Sequence, residues 1–345
     1  MFLRVDLIIH FLWLTGGLVL LYFGAEWLVR GASCLALRLG VSPLVVGLTV
    51  VAFGTSMPEL LVCLKANSPE VMSIPAAWCG FHVHDADPIP DIAFGNIVGS
   101  NIFNIALILG VSAMIHPIVI NSQLIRREMP ILIFSSVVFL VMMMDMNLSR
   151  WEGGVLTLGV FTYVLMSLRM SRKESALGQL SEMEGEVLEE AKKGGGNPLV
   201  NILLIVVGIG ALVLGAEWLV NHGEPIARAF RVPEVIISLT LFALGTSLPE
   251  LATSVVASLK REGDIITGNA IGSCIFNLLA VMGVTASVKP LMATNVSWVD
   301  LGVMMGLTIL IMPFMWSRMR LNRMEGGILV VIAVSYSVMV IVVQR

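Results

Sequence analysis

The chain is predicted to be an all-α integral membrane protein. It is expected to have about ten transmembrane helices, arranged as two inverted five-helix repeats with broken helices at the midplane. Three observations predict this: an apolar composition, three sequence blocks that recur in order, and an odd number of apolar segments per copy.

Of the 345 residues, 57% are hydrophobic and 13% charged, against about 45–50% and about 25% in soluble domains. Mean hydropathy is +0.91. Ten apolar segments lie near 7–37, 42–65, 92–115, 129–146, 152–170, 199–229, 234–259, 265–288, 297–316 and 325–343. Each approaches the length of about 20 residues that a helix needs to cross hydrocarbon. The sequence lacks short alternating strands, which argues against a β-barrel. A net charge of −3 speaks against a nucleic-acid partner. With no nucleotide-binding loop, an ion gradient rather than ATP is the expected drive. Cys34, Cys63, Cys79 and Cys274 show neither zinc-ligand spacing nor a disulfide framework.

The duplication is direct. Gly24-Ala-Glu-Trp-Leu-Val29 returns as Gly215-Ala-Glu-Trp-Leu-Val220, and Gly54-Thr-Ser-Met-Pro-Glu-Leu60 as Gly245-Thr-Ser-Leu-Pro-Glu-Leu251, both at an offset of 191. DIAFGNIVGSNIFN, from Asp91, returns as DIITGNAIGSCIFN, from Asp264, at an offset of 173. The first copy therefore carries 18 extra residues between Cys63 and Asp91. Five segments per copy force successive copies to enter the membrane from opposite sides. Such inverted repeats place their substrate site near the midplane, on interrupted helices.

The repeats divide the chain into residues 1–170, a polar linker at 171–197 and residues 198–345. With the N-terminus outside, 14 of the 21 Lys and Arg residues fall on the inner side. The positive-inside bias then puts both termini outside and the linker in the cytoplasm. The expected location is the cell (inner) membrane, with lipid as the surrounding partner.

Each GTS-x-PEL block joins a proline to an acid inside an apolar run. Pro58 has no N–H, so the Gly54 carbonyl loses its helical partner, and Pro249 does the same to Gly245. Irregular backbone at membrane depth survives only where it is buried in protein or lines a cavity. Thr55, Ser56 and Glu59 are spaced to lie on one side of a helix, as are Thr246, Ser247 and Glu250. Ser100 and Asn104 face one way, and Ser273 and Asn277 match them. Folded about a pseudo-twofold axis, Ser56, Glu59, Ser100, Asn104, Ser247, Glu250, Ser273 and Asn277 converge. All present oxygen, which suits hard cations such as Ca²⁺ and Na⁺. An acid at a helix centre costs roughly 2.5–3.5 kcal/mol on insertion scales, so two matched acids point to neutralisation by a bound cation or a proton.

GTSMPEL with GNIVGSNIFN, and GTSLPEL with GNAIGSCIFN, resemble the signature repeats of the Ca²⁺/cation antiporter (sodium/calcium exchanger) superfamily, above all its small prokaryotic members. The resemblance implies exchange of Ca²⁺ against Na⁺ by alternating access, with no cofactor beyond the transported ions. It implies that Glu59 and Glu250 are central cation ligands, completed by Asn104 and Asn277. By the same resemblance, Ser56, Ser100, Ser247 and Ser273 line flanking Na⁺ sites with Thr55 and Thr246. The backbone carbonyls of Ala52 and Ala243 would contribute. A proton- or K⁺-coupled relative is the nearest alternative, and a cation channel is the alternative from another class. An enzyme is not expected, since no nucleophile–base pair accompanies either block.

Three features depart from the family pattern. Asn stands at both positions 104 and 277, where many members carry one Asp. Cys63 stands where the second copy has Ser254, a swap expected to be a matter of packing. The extra residues form a stretch, about 66–90, with Pro69, Pro75, Pro88 and Pro90. It is expected to be a solvated outer loop. A local insertion or reading-frame accident is the next reading, and a metal or gating role for its His82, His84, Asp85 and Asp87 the last. Glu26 and Glu217, matched intramembrane acids, are expected to be structural, and Trp27 and Trp218 to pack between helices.

Overall fold

The computed structural model describes residues 2–68, 90–176, 197–230, 243–293 and 297–343. Residues 69–89 of the insertion, most of the linker and the start of the seventh segment lie outside the described residues.

The first half begins with α1 (Phe2–Leu39), which runs through the first GAEWLV block. Ser42 then caps α2 (Pro43–Thr55): its hydroxyl accepts the Val45 N–H at 3.3 Å, and Pro43 occupies the first turn, where no N–H is needed. α3 (Met57–Asn67) follows at a bend of 42°. α4 (Pro90–Phe103) passes through a π-helical turn at Asn104–Ile108 into α5 (Leu109–Ile115). A further π turn, Leu124–Glu128, leads into α6 (Met129–Met142), and α7 (Arg150–Ala176) closes the half. α7 continues past the expected start of the linker at 171, as far as Ala176.

The second half repeats this order: α8 (Pro198–Ala229), α9 (Ala243–Thr246), α10 (Leu248–Leu259), α11 (Gly263–Phe276), a π turn at Asn277–Val281, α12 (Met282–Val288), α13 (Trp298–Trp316) and α14 (Arg323–Val343). Among the described residues, 8 helices are long and apolar enough to cross a membrane, and the bent α2–α3 pair makes 9. α10, Leu248–Leu259, is a shorter apolar helix; the segment expected to hold it, from about 234, begins outside the described residues.

The inversion is visible in the packing of α1 on α8. A Cβ at Gly17 would lie 2.8 Å from the Gly215 carbonyl, one at Gly24 would lie 2.9 Å from that of Gly208, and one at Gly31 would lie 2.8 Å from that of Asn201. The two helices are therefore antiparallel. The 191 offset pairs Gly17 with Gly208 and Gly24 with Gly215 as equivalents. A twofold axis through the crossing, between Leu20 and Leu21 on α1, maps this interface onto itself. Small residues let the backbones meet, as helices in lipid require when no hydrophobic force drives their association.

The short strands say the same. β1 (Ile118–Val119) pairs antiparallel with β4 (Arg320–Leu321), and β2 (Asn147–Leu148) with β3 (Leu291–Met292). At the 173 offset β1 corresponds to β3 and β2 to β4. Each ribbon thus takes one strand from each half, and the two ribbons exchange under the same symmetry. α4 and α11 are the most enclosed spans, 83% and 78% buried over their apolar windows, whereas α7 and α14 face outward at 28% and 17%.

Candidate cation-binding site

The two broken helices meet the two enclosed ones at the centre. The first break falls at Ser56 (φ −83°, ψ 7°) and the second at Ser247 (φ −89°, ψ 5°). The two breaks have nearly the same backbone geometry, so one motif builds one turn twice. Beyond each break, Pro58 and Pro249 stand in the first turn of α3 and α10, followed by Glu59 and Glu250. A carboxylate in the first turn sits at the positive end of its helix.

Both glutamates are 0% exposed. Ser100 of α4 donates to Glu59 Oε1 at 3.3 Å, and Ser56 donates to Glu250 Oε1 at 3.4 Å. Ser100 also receives the side-chain amides of Asn104 (3.3 Å) and Asn277 (3.1 Å) and the hydroxyl of Ser247 (3.1 Å). It therefore joins side chains from α3, from both π turns and from the second break. Asn104 and Asn277 each open a π turn, in which their carbonyls accept the N–H five residues on, from Leu109 and Met282. Such turns concentrate at functional sites because they widen the helix and re-aim side chains.

Five buried oxygens at this centre have no hydrogen-bond partner: Glu59 Oε2, Glu250 Oε2, Asn104 Oδ1, Asn277 Oδ1 and Ser273 Oγ. The two amide oxygens are acceptors with no hydrogen to give, and so are the two glutamate oxygens when ionised. A buried polar atom left bare costs about 1–3 kcal/mol, more if charged, and a cation satisfies several such atoms together. All five of these donor atoms are oxygens, as hard cations prefer.

The flanking hydroxyls face neighbouring amides. Thr55 Oγ1 donates to Asn269 Oδ1 at 3.1 Å, and Thr246 Oγ1 to Asn96 Oδ1 at 3.0 Å. Asn96 and Asn269 are equivalents at the 173 offset, so the crossed contacts obey the twofold. The Asn269 amide goes on to Ser254 Oγ at 3.1 Å and the Glu250 carbonyl at 3.2 Å, while Asn96 reaches Cys63 Sγ at 3.7 Å. The Cys63/Ser254 difference thus falls on an acceptor in this network and is more than packing. The Ala52 carbonyl accepts the Ser56 N–H at 3.0 Å and lies 3.4 Å from the Thr55 hydroxyl oxygen. Ala243 opens α9, at the matching place before the second break.

Three participants were not singled out from the sequence. Asn96 and Asn269 lie in the repeated GN of the second block, so the repeat itself carried their signal. Asn101 accepts the Asn277 amide at 3.0 Å, but its equivalent is Cys274, and the symmetry gives no hint of it. Outside the centre, Glu26 pairs with Lys260 at 2.9 Å. Trp218 meets Trp13 edge-on, with ring centroids 4.5 Å apart.

Inverted repeats, paired broken helices and a buried all-oxygen centre define a membrane cation exchanger. The comparisons with known proteins fix the family. Residues 9–169 and 200–342 match the family described as sodium/calcium exchanger protein, and the chain belongs to that family. It is 36% identical over 326 residues to the putative antiporter CaxA of Alkalimonas amylolytica, covering 93% of this chain and 95% of that one. It is 30% identical to the sodium/calcium exchanger MaX1 of Methanosarcina acetivorans, covering 96% and 98%. Among solved structures it resembles the sodium-calcium exchanger NCX_Mj, with a TM-score of 0.75 and 28% identity over 95% of this chain and 97% of that one. That relative has ten helices in inverted repeats, and the two folds agree over nearly the whole of both chains. The family is one of transporters, not enzymes.

Proposed function

We propose that the chain exchanges Ca²⁺ for Na⁺ by alternating access, with Glu59 and Glu250 as the central ligands. The observation that carries the reading is the set of bare buried oxygens on Glu59, Glu250, Asn104, Asn277 and Ser273. Two carboxylates balance one Ca²⁺, and amide and hydroxyl oxygens bring the shell towards the six to eight that Ca²⁺ takes. Ser56, Ser100, Ser247, Ser273, Thr55 and Thr246 line the flanking Na⁺ positions, with the carbonyls of Ala52 and Ala243. Relatives named as sodium/calcium exchangers support the choice of ions.

The halves rock about this fixed site and expose it to one side at a time. The transported ions are the only small ligands required; neither cofactor, nucleotide nor nucleic acid takes part. The protein works in the cell (inner) membrane, in keeping with a 34% identical relative, the inner membrane protein YrbG of Escherichia coli. Both termini face outward and the 171–197 linker faces the cytoplasm, as the distribution of Lys and Arg indicates.

Ca²⁺ uptake into proteoliposomes tests the reading. Loading the vesicles with Na⁺, K⁺ or acid in turn separates the couplings. Uptake only from Na⁺-loaded vesicles supports the proposal. Uptake driven by the proton or K⁺ gradient instead assigns the coupling to the alternative.

A further inference from the structure

A second polar cluster lies far from the central site, on the α1–α8 seam. His10 Nδ1 and His222 Nδ1 face each other at 2.9 Å, with both rings half-buried. Trp13 stacks on His222, with ring centroids 5.6 Å apart and planes 12° from parallel, and its other edge meets Trp218. The rings are thus held in place rather than splayed into solvent.

The depth of the pair follows from the symmetry. The twofold axis crosses α1 between Leu20 and Leu21, and inverted repeats set that axis in the membrane plane. His10 lies ten to eleven residues away, about 16 Å along a helix rising 1.5 Å per residue. Half of a hydrocarbon core is about 15 Å, so the pair sits at the membrane–water interface, where Trp13 and Trp218 also belong. At the equivalent point on the other face, Gly31 lies against the Asn201 carbonyl. The imidazole pair therefore exists on one face only.

We propose that His10 and His222 form a binding site for a borderline divalent cation of the Zn²⁺ class, bridging α1 and α8. Tetrahedral zinc with Zn–N bonds of about 2.0–2.1 Å holds two nitrogens about 3.3 Å apart, so the pair opens by only about 0.4 Å. One Nδ1 donates to the other in the free protein. On binding, the donor ring shifts that proton to its Nε2, and both Nδ1 lone pairs turn to the ion with no net proton release. Among the described residues no third His, Cys, Asp or Glu joins them, and water completes the shell. The site selects by nitrogen donors, so Ca²⁺ and Na⁺ do not compete for it. Occupied, it ties the two repeats together at one membrane face.

The test uses the full chain in nanodiscs, with Zn²⁺ titrated against a chromophoric chelator. His82→Ala/His84→Ala serves as the background, to remove the histidines of the insertion. One Zn²⁺ per chain is expected in that background, with at least tenfold weaker binding after His10→Ala or His222→Ala. Because a substituted seam could misfold, Ni²⁺ quenching of tryptophan fluorescence is measured on the background protein, where Trp13 beside His222 reports the ion. Absence of stoichiometric Zn²⁺ binding and of quenching in the background protein overturns the proposal. So does binding that survives in folded His10→Ala and His222→Ala variants.

Discussion

Adding one methyl group at Gly24 tests the α1–α8 seam on which the inverted architecture rests. An alanine Cβ there would stand 2.9 Å from the Gly208 carbonyl, 2.9 Å from the Leu212 nitrogen and 3.0 Å from Ala211 Cβ. Ordinary contacts of this kind begin near 3.4 Å, so the helices must part by about half an ångström along a tightly packed crossing. Overpacking of this kind costs about 1–3 kcal/mol. Alanine also favours a helix over glycine by roughly 1 kcal/mol, which would blur the effect of Gly24→Ala alone. Gly210 supplies the control: it lies on α8, with nothing within 4 Å of its added Cβ. Gly24→Ala and Gly210→Ala share the propensity gain, and only the first meets the neighbouring backbone. Gly24→Ala is therefore less stable than Gly210→Ala by about 1–3 kcal/mol. At roughly 2–4 °C per kcal/mol for chains of a few hundred residues, its melting point falls roughly 2–12 °C below that of the control. Thermal melting in nanodiscs, read by fluorescence, measures this. Equal melting points would refute the close approach of α1 and α8.

Other consequences follow from the site and its supports. Asn269→Ala should reduce Ca²⁺ affinity more than Asn96→Ala, because Asn269 bonds Thr55, Ser254 and the Glu250 carbonyl, whereas Asn96 bonds Thr246 and a weak sulfur acceptor. With about 1–3 kcal/mol at stake for each bare buried group, isothermal titration resolves the order. Pro58→Ala restores an N–H and removes a kink worth about 3 kcal/mol; α2 and α3 should straighten from their 42° bend and Ca²⁺ uptake should fall more than tenfold at normal expression. Glu26 and Lys260, 2.9 Å apart, pair at membrane depth, so Glu26→Gln should lower the melting point in nanodiscs by leaving the Lys260 charge without its partner.

Much of this protein was legible in its sequence because the chain states its plan twice. The matched GTS-x-PEL and GN-x-x-GS blocks located the breaks, the buried acids and the Ser–Asn pairs, and an odd number of segments implied the inversion. Sequence periodicity carries no signal for a π turn, so the way Asn104 and Asn277 are presented emerged only in three dimensions. Asn101 escaped because its equivalent is a cysteine, and a repeat reveals only what it repeats. The Cys63/Ser254 swap read as packing because its meaning depends on Asn96 and Asn269, which arrive from different helices. The His10–His222 pair was invisible for a related reason: its members occupy non-equivalent positions and meet only because α1 and α8 run antiparallel.

The central claim is that two matched carboxylates hold the transported cation between the halves. Na⁺-driven Ca²⁺ uptake, measured side by side in proteoliposomes of the unaltered chain and of Glu59→Gln and Glu250→Gln, tests it most directly. Each substitution keeps the shape and an oxygen while halving the formal charge of the centre. Uptake should be present in the unaltered chain and lost in both folded variants. Uptake that survives in either variant would contradict the account.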